Sequence, residues 1–341
     1  MDADFEGDVF DAEPLPLLYD AADGDDYEVQ EAGSADLPSP DTSTSSTDCE
    51  GTHIENFDPS KCAGAAIGRH PSVFEQHADR LKALEQGIWG PFKNEEEWGL
   101  GKWLATCGVS QNKINTFMKL PIVQGLNLSF DSARTLLKTV DALPSGPEWQ
   151  TFDVQVKGDK LGEKSTPLVE SYELYYRNIL ECVQDILGDP TLKEHMQFSP
   201  TKIWSDTTKT NRFYSEMWTG NWWWETQTRL PNSSTIVPII FATDKTNLSL
   251  FAGDKVAWPV CMTIGNIAKD VRRKLSSRAW RLVAYLPVAK LDCFRTDEGR
   301  RTGNYEIYHE CMRQICDPLY SLGPESEGTT MICSDGNIRR I

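Results

Sequence analysis

Apolar positions recur first at helical spacing and later at strand spacing. Phe74, His77, Leu81 and Leu84 fall three or four residues apart, and Trp98, Trp103 and Leu104 continue the pattern, so each stretch reads as an amphipathic helix. Gln111 to Leu120 and Phe130 to Leu143 read as two more, closed by Pro144, Gly146 and Pro147. A short strand is expected at Val154 to Val156. Tyr172 to Leu187 then reads as a long helix stopped by Gly188-Asp189-Pro190, and Phe213 to Leu230 as another ended by Pro231.

The last third changes period. Thr235 to Thr243 is a β-branched apolar run that ends at Asp244. Trp258 to Ile264 is a second, stopped by Gly265-Asn266, and Trp280 to Val288 a third. Asn304 to Leu319 follows as a helix with Tyr305, Tyr308, Cys311, Met312, Ile315 and Leu319 on one side. Thr329 to Ser334 is a fourth strand, ending at Asp335. The order β-β-β-α-β therefore closes two strands with acids, 91 residues apart.

Composition changes the picture at the amino terminus. The 341 residues carry a net charge of −17, but residues 1–50 hold 16 acids and no Lys or Arg. The remainder has 35 acids against 34 bases, a net of −1, so the pI of 4.8 describes a tail. The body can still meet an anionic partner. Residues 1–60 are expected to be a disordered acidic arm, because a segment so polar buries too little apolar surface to offset its chain entropy. Leu15-Pro16-Leu17-Leu18-Tyr19 within it could dock a protein partner. No apolar run reaches the length of a membrane span, and the start lacks the basic and apolar regions of a secretory signal. Nine Cys without a CxxC pair point to a reducing compartment, cytosol or nucleus.

Paired strand-end acids suggest a chemistry. In a ribonuclease H-like arrangement the strands ending at Asp244 and Asp335 are parallel neighbours, and their carboxylates lie together at one sheet edge. Such a pair offers oxygen ligands to hard divalent ions, and paired metals clamp the attacking and leaving oxygens of a phosphoryl transfer. An Asp closing a strand is also the ordinary turn residue, its short side chain satisfying loop backbone.

Several blocks carry a resemblance: Ala142-Leu143-Pro144-Ser145-Gly146-Pro147-Glu148-Trp149, the run Glu216 to Gln227 containing Trp222-Trp223-Trp224, Thr243-Asp244-Lys245-Thr246-Asn247-Leu248, Ala257-Trp258-Pro259-Val260, Ile264-Gly265-Asn266-Ile267, Tyr285 to Leu291, and Cys333-Ser334-Asp335-Gly336-Asn337-Ile338-Arg339-Arg340. Over roughly residues 60–341 the chain resembles the Plavaka transposases of basidiomycete fungi, relatives of the CACTA (EnSpm-like) DNA transposases. The resemblance implies a ribonuclease H-like nuclease in which a triad of acids acts through Mg²⁺ or Mn²⁺. Asp244 would be the first catalytic and metal-binding acid and Asp335 the second. It also implies a third acid in a helical, Cys/His-bearing region beyond Ile341, so the core is expected to be C-terminally truncated. The implied partner is DNA at transposon ends, the implied location the nucleus, and a homo-oligomer is compatible with both.

The fold expected is α/β (α+β): the arm over 1–60, a mainly helical region over 61–231, and a partial ribonuclease H-like core over 232–341. Two functions follow, DNA cleavage with strand transfer, or a remnant that binds DNA or protein without cutting. Lys269, Arg272, Arg273, Lys274 and Arg278 form the densest basic cluster and are candidates for phosphate contact, the alternative being a solvated loop paired with Asp270. Trp218 and Trp222 to Trp224 can stack bases but suit a core better, with Trp223 the one expected at the surface. His309, Cys311 and Cys316 share a helix without an evident fourth zinc ligand, so the cysteines read as small buried residues. No Walker loop and no GxSxG elbow is present.

Overall fold

The computed structural model describes residues 52–85, 87–162, 165–247, 256–322 and 328–341. The acidic stretch expected as an arm lies outside them up to residue 51; its last part, His53–Asn56, is a strand. The chain is mixed α/β and groups into two compact units, one spanning 77–144 and the other 52–76 with 145–341.

The first unit is helical, as its periodicity predicts. Helix α1 (Val73–Ala83) leads to α2 (Glu95–Thr106), α3 (Gln111–Met118), α4 (Pro121–Gln124) and α5 (Ala133–Asp141). Local caps set the starts. Asn94 Oδ1 accepts the Glu97 amide at 2.9 Å, and Ser132 with Thr135 forms a reciprocal capping box on α5, each cap stabilising by about 1 kcal/mol. Phe92, Leu104, Ile114, Met118, Phe130 and Leu136 are buried together.

The second unit is built on sheets. Strands β1 (His53–Asn56) and β2 (Gly68–Arg69) precede a long hairpin of β3 (Trp149–Leu161) and β4 (Pro167–Arg177). After α6 (Ile179–Leu187) come β5 (Thr201–Trp204), β6 (Arg212–Phe213) and α7 (Asn221–Arg229). Then follow β7 (Ile239–Thr243), β8 (Thr246–Asn247), β9 (Val256–Ala257), β10 (Pro259–Ile264), α8 (Lys269–Arg272), β11 (Arg281–Tyr285), α9 (Asp297–Tyr320), β12 (Thr330–Ile332) and β13 (Asn337–Arg340). The main sheet has the order β3-β4-β11-β10-β7, antiparallel throughout. Helix α6 packs on β10 and β11, α9 packs on β3 and β4, and the two helices pack on each other. Ile179, Val183, Ile186 and Leu187 of α6 are buried with Ile307, Cys311 and Ile315 of α9 and with Val260, Met262, Ile264 and Val283 of the sheet.

Three expectations are corrected. Tyr172 to Leu187 is a strand followed by a helix: Tyr172, Leu174 and Tyr176 alternate with polar or exposed neighbours, which is strand period, and Asn178 then caps α6 by accepting the Leu180 amide at 2.9 Å. Phe213 to Leu230 is helical only from Asn221, after a 3-10 turn at Met217–Thr219. The region 61–231 therefore carries a long β-hairpin among its helices.

The third correction concerns sheet neighbours. The order β7, β10, β11, α9, β12 matches the β-β-β-α-β reading, but β7 and β12 do not pair. Strand β12 pairs antiparallel with β13, and β13 with β2. Gly336 (φ 75°) turns the chain directly after Ser334-Asp335, which makes β13 the nearest partner. The Gln184 amide of α6 meets the backbone of Ile332 through Nε2 to O at 2.7 Å and N to Oε1 at 3.0 Å. That side-chain amide takes backbone groups that a second strand neighbour of β12 would need.

Candidate functional site

Strand β7 delivers Asp244 to an open cleft of about 830 Å³, within the range of small-molecule sites. Thr243 Oγ1 donates to the Pro259 carbonyl at 2.7 Å and anchors the end of the strand. Asp244 is exposed and makes no hydrogen bond or ion pair among the described residues. Opposite it the first half of α9 supplies Asp297, Arg300, Arg301, Tyr305, Tyr308 and His309. Thr296 caps this helix by accepting the Gly299 amide at 3.1 Å. Gly303 lets α9 lie close, since a Cβ there would stand 2.8 Å from the Phe294 ring.

Three side chains form a stack beside Asp244. Lys245 Nζ lies 4.1 Å from the Trp258 ring centre, and Trp258 also stacks with Tyr308, at 5.8 Å and 21° between planes. A cation over a half-buried indole gains on the order of 0.5–1 kcal/mol or more, enough to bias where the Thr-Asp-Lys turn holds its lysine. Arg300 is committed to Asp297 and to the Phe294 carbonyl. Arg301, 5.8 Å from the Tyr305 ring, is exposed and not paired with an acid among the described residues. Among the described residues the cleft thus combines a carboxylate without a partner (Asp244), two cations not paired with an acid (Lys245 and Arg301) and an exposed phenol ring at Tyr305.

Asp335 is placed differently, and the residues around it do not fit a metal centre. Oδ1 accepts Arg339 Nη1 at 2.8 Å and the Asn337 amide at 3.1 Å; Oδ2 accepts Arg339 Nη2 at 2.6 Å and Asn337 Nδ2 at 2.8 Å. Both oxygens are therefore occupied, one pair of bonds coming from a guanidinium. Burial alone would raise the carboxyl pKa; Arg339 and Asn337 outweigh it and hold the group well below the usual carboxylate range. Asp244 and Asp335 end strands of different sheets, and among the described residues no group of three or more His, Cys, Asp and Glu can hold a metal ion.

The basic cluster occupies α8 and the turn after it. Lys269 Nζ donates to the Ser215 carbonyl at 3.1 Å, its amide meets the Glu216 carboxylate, and Arg272 Nη1 donates to the Ile267 carbonyl at 3.0 Å. Arg273 pairs with Asp270 at 3.3 Å. Lys274 and Arg278 are the exposed members with no such partner among the described residues.

The tryptophan run is corrected in detail: Trp223 is fully buried and Trp222 is 56% exposed. Trp223 and Gln227, four apart, form the inward face of α7. Cys311 is fully buried, and burial pushes its thiol up to about 12, which suits a packed neutral group and not a zinc thiolate.

Sequence reasoning did not find Arg300, Arg301 or Tyr305 as neighbours of Asp244. The available signal was the exposed i, i+4 pair of Arg301 and Tyr305 at the start of α9, a helix that crosses from the third strand back past the first. Arg339 was missed as the partner of Asp335, although it lies four residues on, in the strand that follows the Asp335 turn.

Fold and site together define a mixed α/β protein whose antiparallel sheet presents an acid, unpaired among the described residues, to a cleft of cations and aromatic rings. A family model described as Plavaka transposase matches residues 130–341, well over half of the chain, and the protein belongs to that family. No curated protein and no solved structure matches the chain. Among the described residues no helix is long and apolar enough to cross a membrane.

Proposed function

We propose that this chain is a DNA-engaging protein of the Plavaka transposase family and that the cleft at Asp244 is where it meets the DNA backbone. The observation that carries the reading is the convergence of Lys245, Arg301 and Tyr305 on one open cleft. Phosphate oxygens take charge-assisted bonds from Lys and Arg, and an exposed ring accepts a sugar or base face. The order of three antiparallel strands and a crossover helix, with an acid closing the first strand, supports a ribonuclease H-like ancestry. In that ancestry the reaction is cleavage and joining of DNA in the nucleus with Mg²⁺ or Mn²⁺. Asp244, a free hard-oxygen donor at the cleft, is the residue we assign to it.

A second reading, DNA binding without cutting, is favoured by one specific observation: both oxygens of Asp335 are held by Arg339 and Asn337. Both readings share DNA binding. Fluorescence anisotropy of a labelled duplex across a salt series tests it. Affinity should fall steeply with salt, and Arg301→Ala should reduce the log–log slope by about one. Salt-insensitive binding, or a slope unchanged in Arg301→Ala and Lys245→Ala alike, would remove the cleft from the interface. Nicking of the same duplex with Mn²⁺, present in the parent and absent in Asp244→Asn, separates cutting from binding alone.

A further inference from the structure

We propose that Asp335 and Arg339 form a clasp that fastens the amino-terminal segment 52–70 to the carboxy-terminal hairpin, and that Asp335 serves this clasp instead of a metal ion. The inference does not depend on the DNA cleft.

Arg339 uses its whole side chain. Two nitrogens engage Asp335, and the third, Nε, donates to the Gly64 carbonyl at 2.8 Å. Its guanidinium lies 3.9 Å from the Phe198 ring centre, and the residue is only 7% exposed. A planar fork that satisfies a carboxylate, a carbonyl and a ring face at once is a task for Arg and not for Lys. Gly64 is shaped to the contact: it has φ 71°, and a Cβ there would stand 2.7 Å from the Phe198 carbonyl oxygen. A side chain at residue 64 would push away the carbonyl that Arg339 holds.

Backbone bonds continue the joint on both sides. The Ile67 amide donates to Ile338 O at 2.9 Å, and the His70 amide to Gly336 O at 3.0 Å. The register Asn337↔Arg69 and Ile338↔Gly68 makes β2 the outer strand on β13. A third segment enters at the same place: the Ser233 amide donates to Lys61 O at 2.9 Å and the Thr235 amide to Arg340 O at 2.8 Å. Residues separated by more than 270 positions are thus tied at one point, and a largely buried ion pair lies within it. A divalent ion at Asp335 would have to displace Arg339, and with it the hold on Gly64. Metal ligation at Asp335 and a fastened segment are therefore mutually exclusive.

The test is hydrogen–deuterium exchange of the amides in 64–70 on the whole chain, with Mn²⁺ as the probe ion. In Asp335→Asn and in Arg339→Lys exchange there should accelerate at least tenfold, while Asp244→Asn leaves it unchanged. Millimolar Mn²⁺ should leave the parent's exchange at 64–70 unchanged. Unaltered exchange in both clasp variants would overturn the proposal. So would Mn²⁺ that accelerates exchange at 64–70 in the parent, because that is the signature of an ion taking Asp335 from Arg339. If the variants do not fold, the Mn²⁺ measurement on the parent still decides between these outcomes.

Discussion

Asp244 and Asp335 occupy the same grammatical position in the sequence, each the acid that ends an apolar strand, and the molecule treats them in opposite ways. Asp244 follows an edge strand and faces an open cleft with no partner among the described residues. Asp335 sits inside a hairpin turn and is held by two side chains and a backbone amide. The difference arises from what the chain does next. After Asp244 it runs on as Lys245-Thr246, whose lysine is drawn to Trp258, away from the carboxylate. After Asp335 it reverses at Gly336, and the reversal returns an arginine to the acid that began it. A carboxylate available for chemistry and a carboxylate absorbed by structure are thus separated by turn geometry, not by the residue type.

The sharpest way to break this comparison is to neutralise each acid in turn. Asp335→Asn removes one partner of a largely buried ion pair and strands Arg339, a change that typically costs about 3–5 kcal/mol. Asp244→Asn removes no partner and should alter stability by no more than about 0.5 kcal/mol. Urea unfolding followed by tryptophan fluorescence measures both. Equal effects would mean that the contrast between the two sites has no energetic content.

Acid titration sharpens the same contrast. The Asp335 carboxyl is depressed in the folded state, so it binds a proton more readily when unfolded. Its contribution is complete above the ordinary carboxyl pKa of about 4 and is lost as pH falls from there toward the folded-state value. The parent should therefore lose stability between about pH 5 and pH 2 more steeply than Asp335→Asn. Melting temperatures across that window read the difference, and parallel curves would contradict it.

Much of this was legible from the chain, and the failures have physical causes. The helices of 77–144 and the strands β7, β10 and β11 follow from periodicity, because each buries one face against neighbours of its own unit. Tyr172 to Leu187 misled because a strand with alternating Tyr172, Leu174 and Tyr176 runs straight into an amphipathic helix, and the sum of two periods imitates one long helix. Asn178 was the visible breakpoint, a capping residue inside the apolar run. Trp222 and Trp223 are adjacent, so composition could not say which one α7 turns inward. Asp244 was recognisable as a site candidate from the end of its strand. Its cleft was not, since Arg301 and Tyr305 approach it from a helix more than 50 residues away. The β12 pairing was illegible for a similar reason: Gln184, 148 residues upstream, takes the backbone of Ile332.

At the cleft the comparison becomes a matter of DNA affinity. Arg301→Ala and Lys245→Ala should each lower the salt slope of duplex binding by about one and weaken binding across sequences alike. Tyr305→Ala should weaken single-stranded DNA more than duplex, because ring stacking needs an exposed base face. Filter binding of the two forms at matched salt tells these apart, and an equal loss on both would leave Tyr305 as a backbone contact.

The smallest effect is expected from the basic cluster on α8, and it is informative because composition alone would have ranked that cluster first. Five cations fall between residues 269 and 278, yet Lys269 and Arg272 are spent on the carbonyls of Ser215 and Ile267, and Arg273 faces Asp270. The Glu216 carboxylate, against the Lys269 amide, lowers the local potential further. Among the described residues Lys274 and Arg278 are the members without such a partner, and an exposed pair such as Arg273–Asp270 contributes roughly 0–1 kcal/mol. Lys274→Ala with Arg278→Ala should therefore leave stability within about 0.5 kcal/mol and change the salt slope less than Arg301→Ala alone. A larger slope change than that single cleft variant would move the proposed DNA interface from the Asp244 cleft to α8. The carboxylate of Asp244, unpaired among the described residues, would then need a role other than the proposed one beside a DNA strand.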